Sequence, residues 1–360
     1  MYIKTHQNSE VIIIHITSRR ERTLLGHTIY DIARVAMVSK STVSRVLNNQ
    51  SNISVESRER VLKAIEQLNY QPSKLARGLS SGFDAIMVLS RSAKTTENNP
   101  FFSEIIHAIS TNAEDENFDV ILQTAKNSQD ELQKCIRKIK EKLIKGIIML
   151  SSPADENFFQ QIDPFNIPIV VIGKVEGHYK NVFSVDTNNY KDSYDLTQYL
   201  IDKGHRDIAC LHSPLDYHVS IDRLEGYKSC MKYNGLPLKN EWIINSGYTI
   251  DAAHQSAKQL LGNNRPTAVF ATDDLKVMSI YKMAAENGIS IPRDLSIVGY
   301  SNSNLHPFLS PSLTCKEIPV KKLGDIAVQV LFTKIKGNQD QKPHTIIPTE
   351  NIIQNSVAEI

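Results

Sequence analysis

From residue 84 onward the chain repeats one pattern, a short run rich in apolar residues followed by an amphipathic stretch long enough for a helix. Nine runs fit strands, at 85–90, 118–124, 146–151, 168–173, 182–186, 207–212, 242–246, 267–272 and 295–300. Between most of them lie helical stretches at 101–117, 128–143, 189–203, 221–234, 250–262 and 274–287. Strands that are apolar along their whole length are covered on both faces, and helices between them are the crossovers a parallel sheet requires. Nine strands are too many for one small open sheet, so the pattern predicts two doubly wound lobes. In that architecture a ligand sits outside the carboxyl ends of the strands.

Residues 28–72 have a different texture, short helices with tight turns, and the charge differs too. The chain has a net charge of only +2. Within 28–83, however, eight basic side chains (Arg34, Lys40, Arg45, Arg58, Arg60, Lys63, Lys74, Arg77) face four acidic ones (Asp31, Glu56, Glu59, Glu66), a local +4 that leaves 84–360 acidic. A basic head on an acidic body points to a nucleic-acid module joined to something else. With 41% hydrophobic and 22% charged residues, the chain is neither disordered nor fibrous. No apolar run approaches the roughly 20 residues that span a bilayer. Cys135, Cys210, Cys230 and Cys315 are scattered without metal spacing, which predicts reduced, buried thiols in a cytoplasmic protein. Residues 1–27 hold one apolar burst, Val11–Ile14 by position, too short for a secretory signal, and are expected to be a poorly ordered extension.

Thr28-Ile29-Tyr30-Asp31 has the form of a capping box opening a first helix. Met37-Val38 makes a turn, and Ser39 caps a second helix in which Val43, Val46 and Leu47 share one face. Its other face, short-chained and basic, is what a helix lying in a major groove requires. Arg45 can read a guanine, and Lys40 and Ser41 can reach base edges, while Thr28, Thr42 and Ser44 suit phosphates. A plain three-helix bundle with a solvated second helix has the same pattern. Beyond Tyr70-Gln71-Pro72, the run Ser73–Ser80 by position has room for one short helix, well under the roughly 12–15 residues an isolated helix needs. It is therefore expected to fold only on DNA, with Leu79 as a minor-groove wedge flanked by Lys74 and Arg77. The alternative is a flexible linker.

Thr28-Ile29-Tyr30-Asp31-Ile32-Ala33, Val38-Ser39, Thr42-Val43-Ser44-Arg45-Val46-Leu47-Asn48 and Tyr70-Gln71-Pro72 with Ala76-Arg77-Gly78-Leu79 together resemble the head and hinge of the LacI/GalR family of bacterial repressors. The similarity extends over residues 28–357. One departure is Met37, where the family usually has a small residue or glycine, and which fits if the turn stays right-handed. The resemblance implies a multidomain protein, an all-α helix-turn-helix head and an α/β periplasmic-binding-protein-like body of two doubly wound lobes. The expected divisions are an extension at 1–27, the DNA-binding domain at 28–72 and a hinge and linker at 73–83. A first lobe takes 84–184 with 315–340, and a second takes 185–314 with 341–360. The DNA-contacting set on this basis is Thr28, Tyr30, Lys40, Ser41, Thr42, Ser44, Arg45, Asn48, Lys74, Arg77 and Leu79.

For the body the resemblance implies an effector held between hinged lobes. Asp273, Asn302 and Arg223 offer the planar, bidentate groups that vicinal hydroxyls want, and Phe101 or Phe102 can stack on a pyranose. Lys174 stands at a strand end near them. Only one of the two phenylalanines is expected to face the cleft, Asp274 is expected to cap a helix, and Arg223 has an inter-lobe ion pair as its competing role. Val171-Ile172-Gly173-Lys174 and Gly299-Tyr300-Ser301-Asn302-Ser303 look most like repressors of maltose and maltodextrin operons. Global catabolite regulators share the same head and hinge pattern. The expected partners are therefore double-stranded operator DNA, a small sugar (maltose or a maltodextrin), a second copy of the chain and, in the alternative, a protein corepressor, with no membrane. The signatures G-x-x-x-x-G-K-[ST], H-E-x-x-H and G-x-S-x-G are missing, which argues against an enzyme and for no cofactor. A sugar-binding module with a protein-binding head is the remaining reading. The chain ends without a leucine-heptad tail, favouring a dimer over a tetramer.

Overall fold

The computed structural model describes residues 27–47, 50–70, 83–91, 99–155, 157–262, 264–301, 306–338 and 342–360. The expectations for Asn48, Lys74, Arg77, Leu79, Asn302 and residues 1–26 lie outside them. The chain divides into two compact units, residues 1–81 and 82–360.

The first unit contains α1 (Ile29–Val35), α2 (Lys40–Leu47) and α3 (Val55–Gln67). The Asp31 carboxylate reaches back to Thr28, accepting from its backbone N–H at 3.0 Å and its hydroxyl at 2.8 Å, as the capping box requires. Ser39 Oγ accepts from Thr42 N–H at 3.1 Å at the start of α2, and Ser54 Oγ accepts from Ser57 N–H at the start of α3. Ile32, Ala33, Ala36, Val43, Val46, Val61 and Ala64 form the core. Met37 departs from the expected right-handed turn, with φ of 54°. The cause is the way α1 ends: Val38 N–H donates to Ala33 C=O at 3.0 Å and Met37 N–H to Arg34 C=O, the paired bonds that place the intervening residue in the left-handed region. Met37 carries there the cost, about 1 kcal/mol, that glycine would avoid.

The second unit has two six-stranded sheets. The first is ordered β2 (Asp119–Ala125), β1 (Ala85–Arg91), β3 (Gly146–Met149), β4 (Ile169–Ile172), β5 (Val182–Asp186) and β11 (His344–Ile346), parallel throughout. The second runs β7 (Ile243–Asn245), β6 (Ile208–His212), β8 (Ala268–Ala271), β9 (Ser296–Ser301), β10 (Thr314–Glu317) and β12 (Glu350–Ile352), parallel except for the β10–β12 pair. All nine expected strands are present. Strands β1, β3, β4 and β5 of the first sheet, and β6, β8 and β9 of the second, are buried almost end to end, as their unbroken apolar runs require.

Crossover helices are α4 (Pro100–Asp115), α5 (Ser128–Lys140), a short α6 (Phe158–Ile162), α7 (Asn189–Asp202), α8 (His218–Tyr233), α9 (Ile250–Leu260), α10 (Asp274–Glu286) and α11 (Val320–Ile335). Helix α8 approaches α7 so closely that a Cβ on Gly226 would stand 2.3 Å from the Tyr190 carbonyl oxygen. Gly204 sits at φ +97° in the turn after α7, where the backbone of Ile360 crosses it and Ile360 N–H donates to Lys203 C=O.

The chain passes between the lobes after β5, after β10 and after β11. These crossings differ from the expected divisions. Strand β5 stays with the first sheet through Asp186 rather than ending at 184. Strand β10 pairs with β9 in the second sheet although 315–317 were expected in the first lobe. Strand β11 pairs with β5 in the first sheet although 341–360 were expected wholly in the second lobe. Backbone pairing decides all three cases: β11 extends the first sheet beyond β5, and β10 lies between β9 and β12 in the second.

Candidate functional site

In each sheet the strand order reverses direction about one pair, β1 and β3 in the first and β6 and β8 in the second, and a crevice opens at their carboxyl ends. The two crevices face one another. Between them lies a cleft with a cavity of about 100 Å³ that opens to solvent at its mouth. The first lobe brings Phe101, Phe102, Leu150 and Ile172, with Arg91 and Ser151 at the ends of β1 and β3. The second brings Asn189, Ser213, Arg223, Thr272 and Asp273.

Arg223 projects from α8 and is 8% exposed. Its Nε donates to Asn189 Oδ1 at 2.8 Å, its terminal amino group donates to Thr272 C=O at 2.5 Å, and its guanidinium lies 3.6 Å from the Tyr300 ring centre. All three partners belong to the second lobe, so the expected competing role as an inter-lobe ion pair falls away. That link is made instead by Lys174, which pairs with Glu176 at 2.6 Å and with Asp222 of α8 at 3.7 Å. Lys174 is outside the cleft lining, where its neighbour Gly173 stands.

Asp273, not Asp274, caps α10: strand β8 ends at Ala271, and the Asp273 carboxylate accepts from Lys276 N–H at 3.2 Å. The same carboxylate accepts from Ser213 Oγ at 3.0 Å and holds the ammonium of Lys276, 1% exposed, at 2.5 Å. Burial pushes the Asp273 carboxyl upward, and the charge and hydrogen bonds of Lys276 more than reverse it, holding the group below its ordinary range. Asp186, at the end of β5, has no cation within ion-pair distance among the described residues. Burial raises its carboxyl to about 7, against the hydrogen bond from Thr187 N–H, the nearby charge of Arg223 and the hydrogen bond from the Asn189 amide.

Phe101 and Phe102 are both among the cleft-lining residues, and Phe102 is also the one of the pair buried in the core, as one of them was expected to be. Their rings meet edge to face, centres 5.3 Å apart, so Phe102 joins the core while still presenting an edge to the opening. Arg91, Asp186, Asn189, Ser213 and Lys276 escaped the sequence reading. Arg91 and Asp186 had a usable signal, because each is the last residue of a parallel strand.

The lobes are closed at one rim. Ala154 N–H donates to Asp216 C=O, His218 N–H donates to Ser152 C=O, and the Tyr217 hydroxyl donates to the buried Glu131 carboxylate of α5 at 3.0 Å. Burial raises the Glu131 carboxyl, with the Tyr217 bond opposing.

In the head, Lys40, Ser41 and Arg45 are exposed on α2, and Thr42 and Ser44 are half-buried beside them. Thr28 and Tyr30 are exposed at the start of α1. Lys40 Nζ donates to the Tyr30 hydroxyl at 3.2 Å and lies 4.8 Å from the ring centre, while Ser41 and Thr42 share hydrogen bonds with the Ser39 hydroxyl. The head therefore brings seven of its expected residues to one neighbourhood of two short helices. Among the described residues no helix is long and apolar enough to cross a membrane.

A helix-turn-helix unit and a two-lobed unit with a cleft at its strand ends define a DNA-binding regulator that carries a ligand-binding body. The model of the bacterial regulatory proteins of the lacI family matches residues 28–73, and a periplasmic binding protein-like domain matches 197–357. The HTH-type transcriptional repressor PurR of Vibrio vulnificus is 31% identical over 337 residues, covering 92% of this chain and 99% of its own. Catabolite control protein A of Priestia megaterium is 30% identical over 335 residues, covering 89% and 97%. Among solved structures, the transcriptional regulator CelR in complex with cellobiose is 25% identical with a TM-score of 0.68, covering 92% of this chain and 99% of its own. The chain belongs to the lacI family of bacterial regulatory proteins.

Proposed function

We propose that the chain is a cytoplasmic repressor of a sugar-utilisation operon, most simply a maltose or maltodextrin operon, whose grip on operator DNA is set by a small sugar between its lobes. The observation that carries this reading is the joining, in one chain, of an exposed α2 face of Lys40, Ser41 and Arg45 to a cleft lined by Arg223, Asp273 and two phenylalanines. Two chains pair, set two α2 helices in successive major grooves of a palindrome, and fold their hinges with Leu79 in the minor groove between. The sugar biases lobe closure and so the spacing of the hinges, and the coupling is reciprocal: whatever factor the sugar applies to DNA affinity, DNA applies to sugar affinity. The cellobiose complex of a 25% identical regulator supports a sugar in the cleft.

The test is fluorescence anisotropy of a labelled palindrome from the gene's own upstream region, with and without maltose at fixed salt. Weakening by maltose is the expected result, and no response to maltose or any other sugar removes the effector. Arg45→Ala should lose operator preference with modest loss of non-specific binding; equal losses on both remove the base-reading role. Global catabolite control with a protein corepressor is the second reading, favoured by the relative named Catabolite control protein A. It predicts that DNA binding tightens only when that protein is added.

A further inference from the structure

Arg91 ends β1 at the point where the first sheet reverses its strand order, and its side chain lines the cleft. Two aromatic faces from the other lobe hold its guanidinium: the Tyr217 ring centre is 4.1 Å from it and the Tyr248 ring centre 4.9 Å. The phenol groups are committed elsewhere, Tyr217 donating to Glu131 and Tyr248 to Asp216, so the rings are fixed before any ligand arrives. A guanidinium gripped by ring faces keeps its donors at its edge. Only Nε is used, donating to Ser151 Oγ at 3.4 Å; among the described residues the terminal amino groups have no acceptor, and no carboxylate lies within ion-pair distance.

The carboxylates around the cleft are each engaged by other groups. Glu131 and Asp216 take the two phenols, Asp222 takes Lys174, Asp186 takes Thr187 and Asn189, and Asp273 is neutralised by Lys276. Arg223 likewise has no carboxylate within 4 Å among the described residues, its donors going to an amide and a carbonyl. The cleft thus presents two guanidinium groups without a direct counter-ion. Glu131 and Asp186 act on Arg91 and Arg223 only through space, so a neutral sugar leaves the two guanidinium groups without a hydrogen-bonded anion, whereas an oxyanion answers them with charge-assisted, bidentate hydrogen bonds.

We propose that Arg91 is a specificity-determining residue of the effector cleft, and that the effector is a small polyol carrying an oxyanion, a sugar phosphate or a sugar acid. The inference rests on the sugar reading of the cleft and narrows its chemistry. Because Arg91 comes from one lobe and its aromatic clamp from the other, an oxyanion bound at its edge holds the closed arrangement.

The test is calorimetric titration of the full chain with glucose 6-phosphate, glucuronate, glucose, maltose and inorganic phosphate. At least one of the two charged sugars should bind tenfold or more tightly than glucose and maltose, and which one does so identifies the oxyanion. Arg91→Gln should remove that preference by weakening the charged sugar tenfold or more while glucose and maltose change little, and Arg91→Lys, which keeps the charge but not the planar fork, should retain part of it. Neutral sugars binding as tightly as charged ones, or Arg91→Gln weakening both alike, overturns the oxyanion and leaves a sugar site. Inorganic phosphate matching glucose 6-phosphate means an adventitious ion only and also overturns it. If no sugar of either kind binds, the sugar reading fails together with the inference.

Discussion

The two lobes share a topology but not a chemistry. Each places its crevice where its strand order reverses, yet the first sets Phe101, Phe102, Leu150 and Ile172 beside Arg91, Ser151 and Asp186, while the second is mostly hydrogen-bonding and charged groups, Asn189, Ser213, Arg223, Thr272 and Asp273, beside Val219, Tyr248 and Leu275. The position of a cleft is a consequence of strand order and is therefore common to both halves. What the cleft recognises depends on single side chains at strand ends, which the fold leaves free to vary.

The contrast can be broken most forcefully at Asp273. Asp273→Ala strands the buried ammonium of Lys276, and should lower unfolding free energy by about 3–5 kcal/mol in denaturant titration. Adding Lys276→Met should restore most of that loss, because the two groups form one neutralised unit. A single-variant loss under about 1 kcal/mol would mean the second wall is not built around that pair.

Asp186 offers the next largest effect, through pH. Its folded carboxyl titrates near 7, above its ordinary 3.8, so the folded chain holds the proton more firmly than the unfolded one. The stability this contributes is complete below about pH 4 and is lost as pH rises through 7, on the order of 4 kcal/mol. Unfolding measured at pH 5 and pH 8 should differ less in Asp186→Asn than in the parent.

The first lobe should respond differently. Phe101→Ala removes a half-buried ring from the cleft, so its expected signature is weaker effector binding, by about 1–2 kcal/mol, with a smaller change in stability. A loss of stability larger than the loss of affinity would show that the ring serves the core. The smallest effect is expected at Lys174, whose pairs with Glu176 and Asp222 are half-exposed. Lys174→Ala should shift the lobe-closing equilibrium by under about 1 kcal/mol, and added salt should erase the difference in small-angle scattering of the two proteins.

Much of this arrangement was legible in the residues. Seven of the nine expected strands announced themselves because burial on both faces demands uninterrupted apolar runs, while β2 and β7 are partly exposed and were legible from their apolar stretches and their place in the alternation with helices; the capping box at Thr28 and Asp31 named the first helix. Strand β10 stayed hidden because Thr314-Cys315-Lys316-Glu317 pairs in the sheet interior while carrying two charges, with Lys316 answered by Asp192 at 3.2 Å. Strands β11 and β12 are three residues each and owe their existence to a partner strand. Helix α11 packs on both α4 and the first sheet, so Val320, Leu323, Ala327, Val328, Val330, Leu331 and Phe332 are buried around it rather than along one stripe. At the cleft, Arg223 and Asp273 could be named from motif, but the partners that decide their charge, Lys276 above all, come from turns and faces that only the packed structure brings together.

The late edge strands also order events in time. Residue 344 pairs with residue 184, 160 positions earlier, and 350–352 complete the other sheet. The contacts of α1, α2 and α3 all close within residues 28–70. On a ribosome adding roughly 5–20 residues per second, about 15–60 s separate the first event from the second. For that interval each nascent chain carries a head whose contacts are complete and a sensor whose sheets still lack their last strands. A polypeptide interrupted in that window is a DNA-binding head without a finished ligand-binding body.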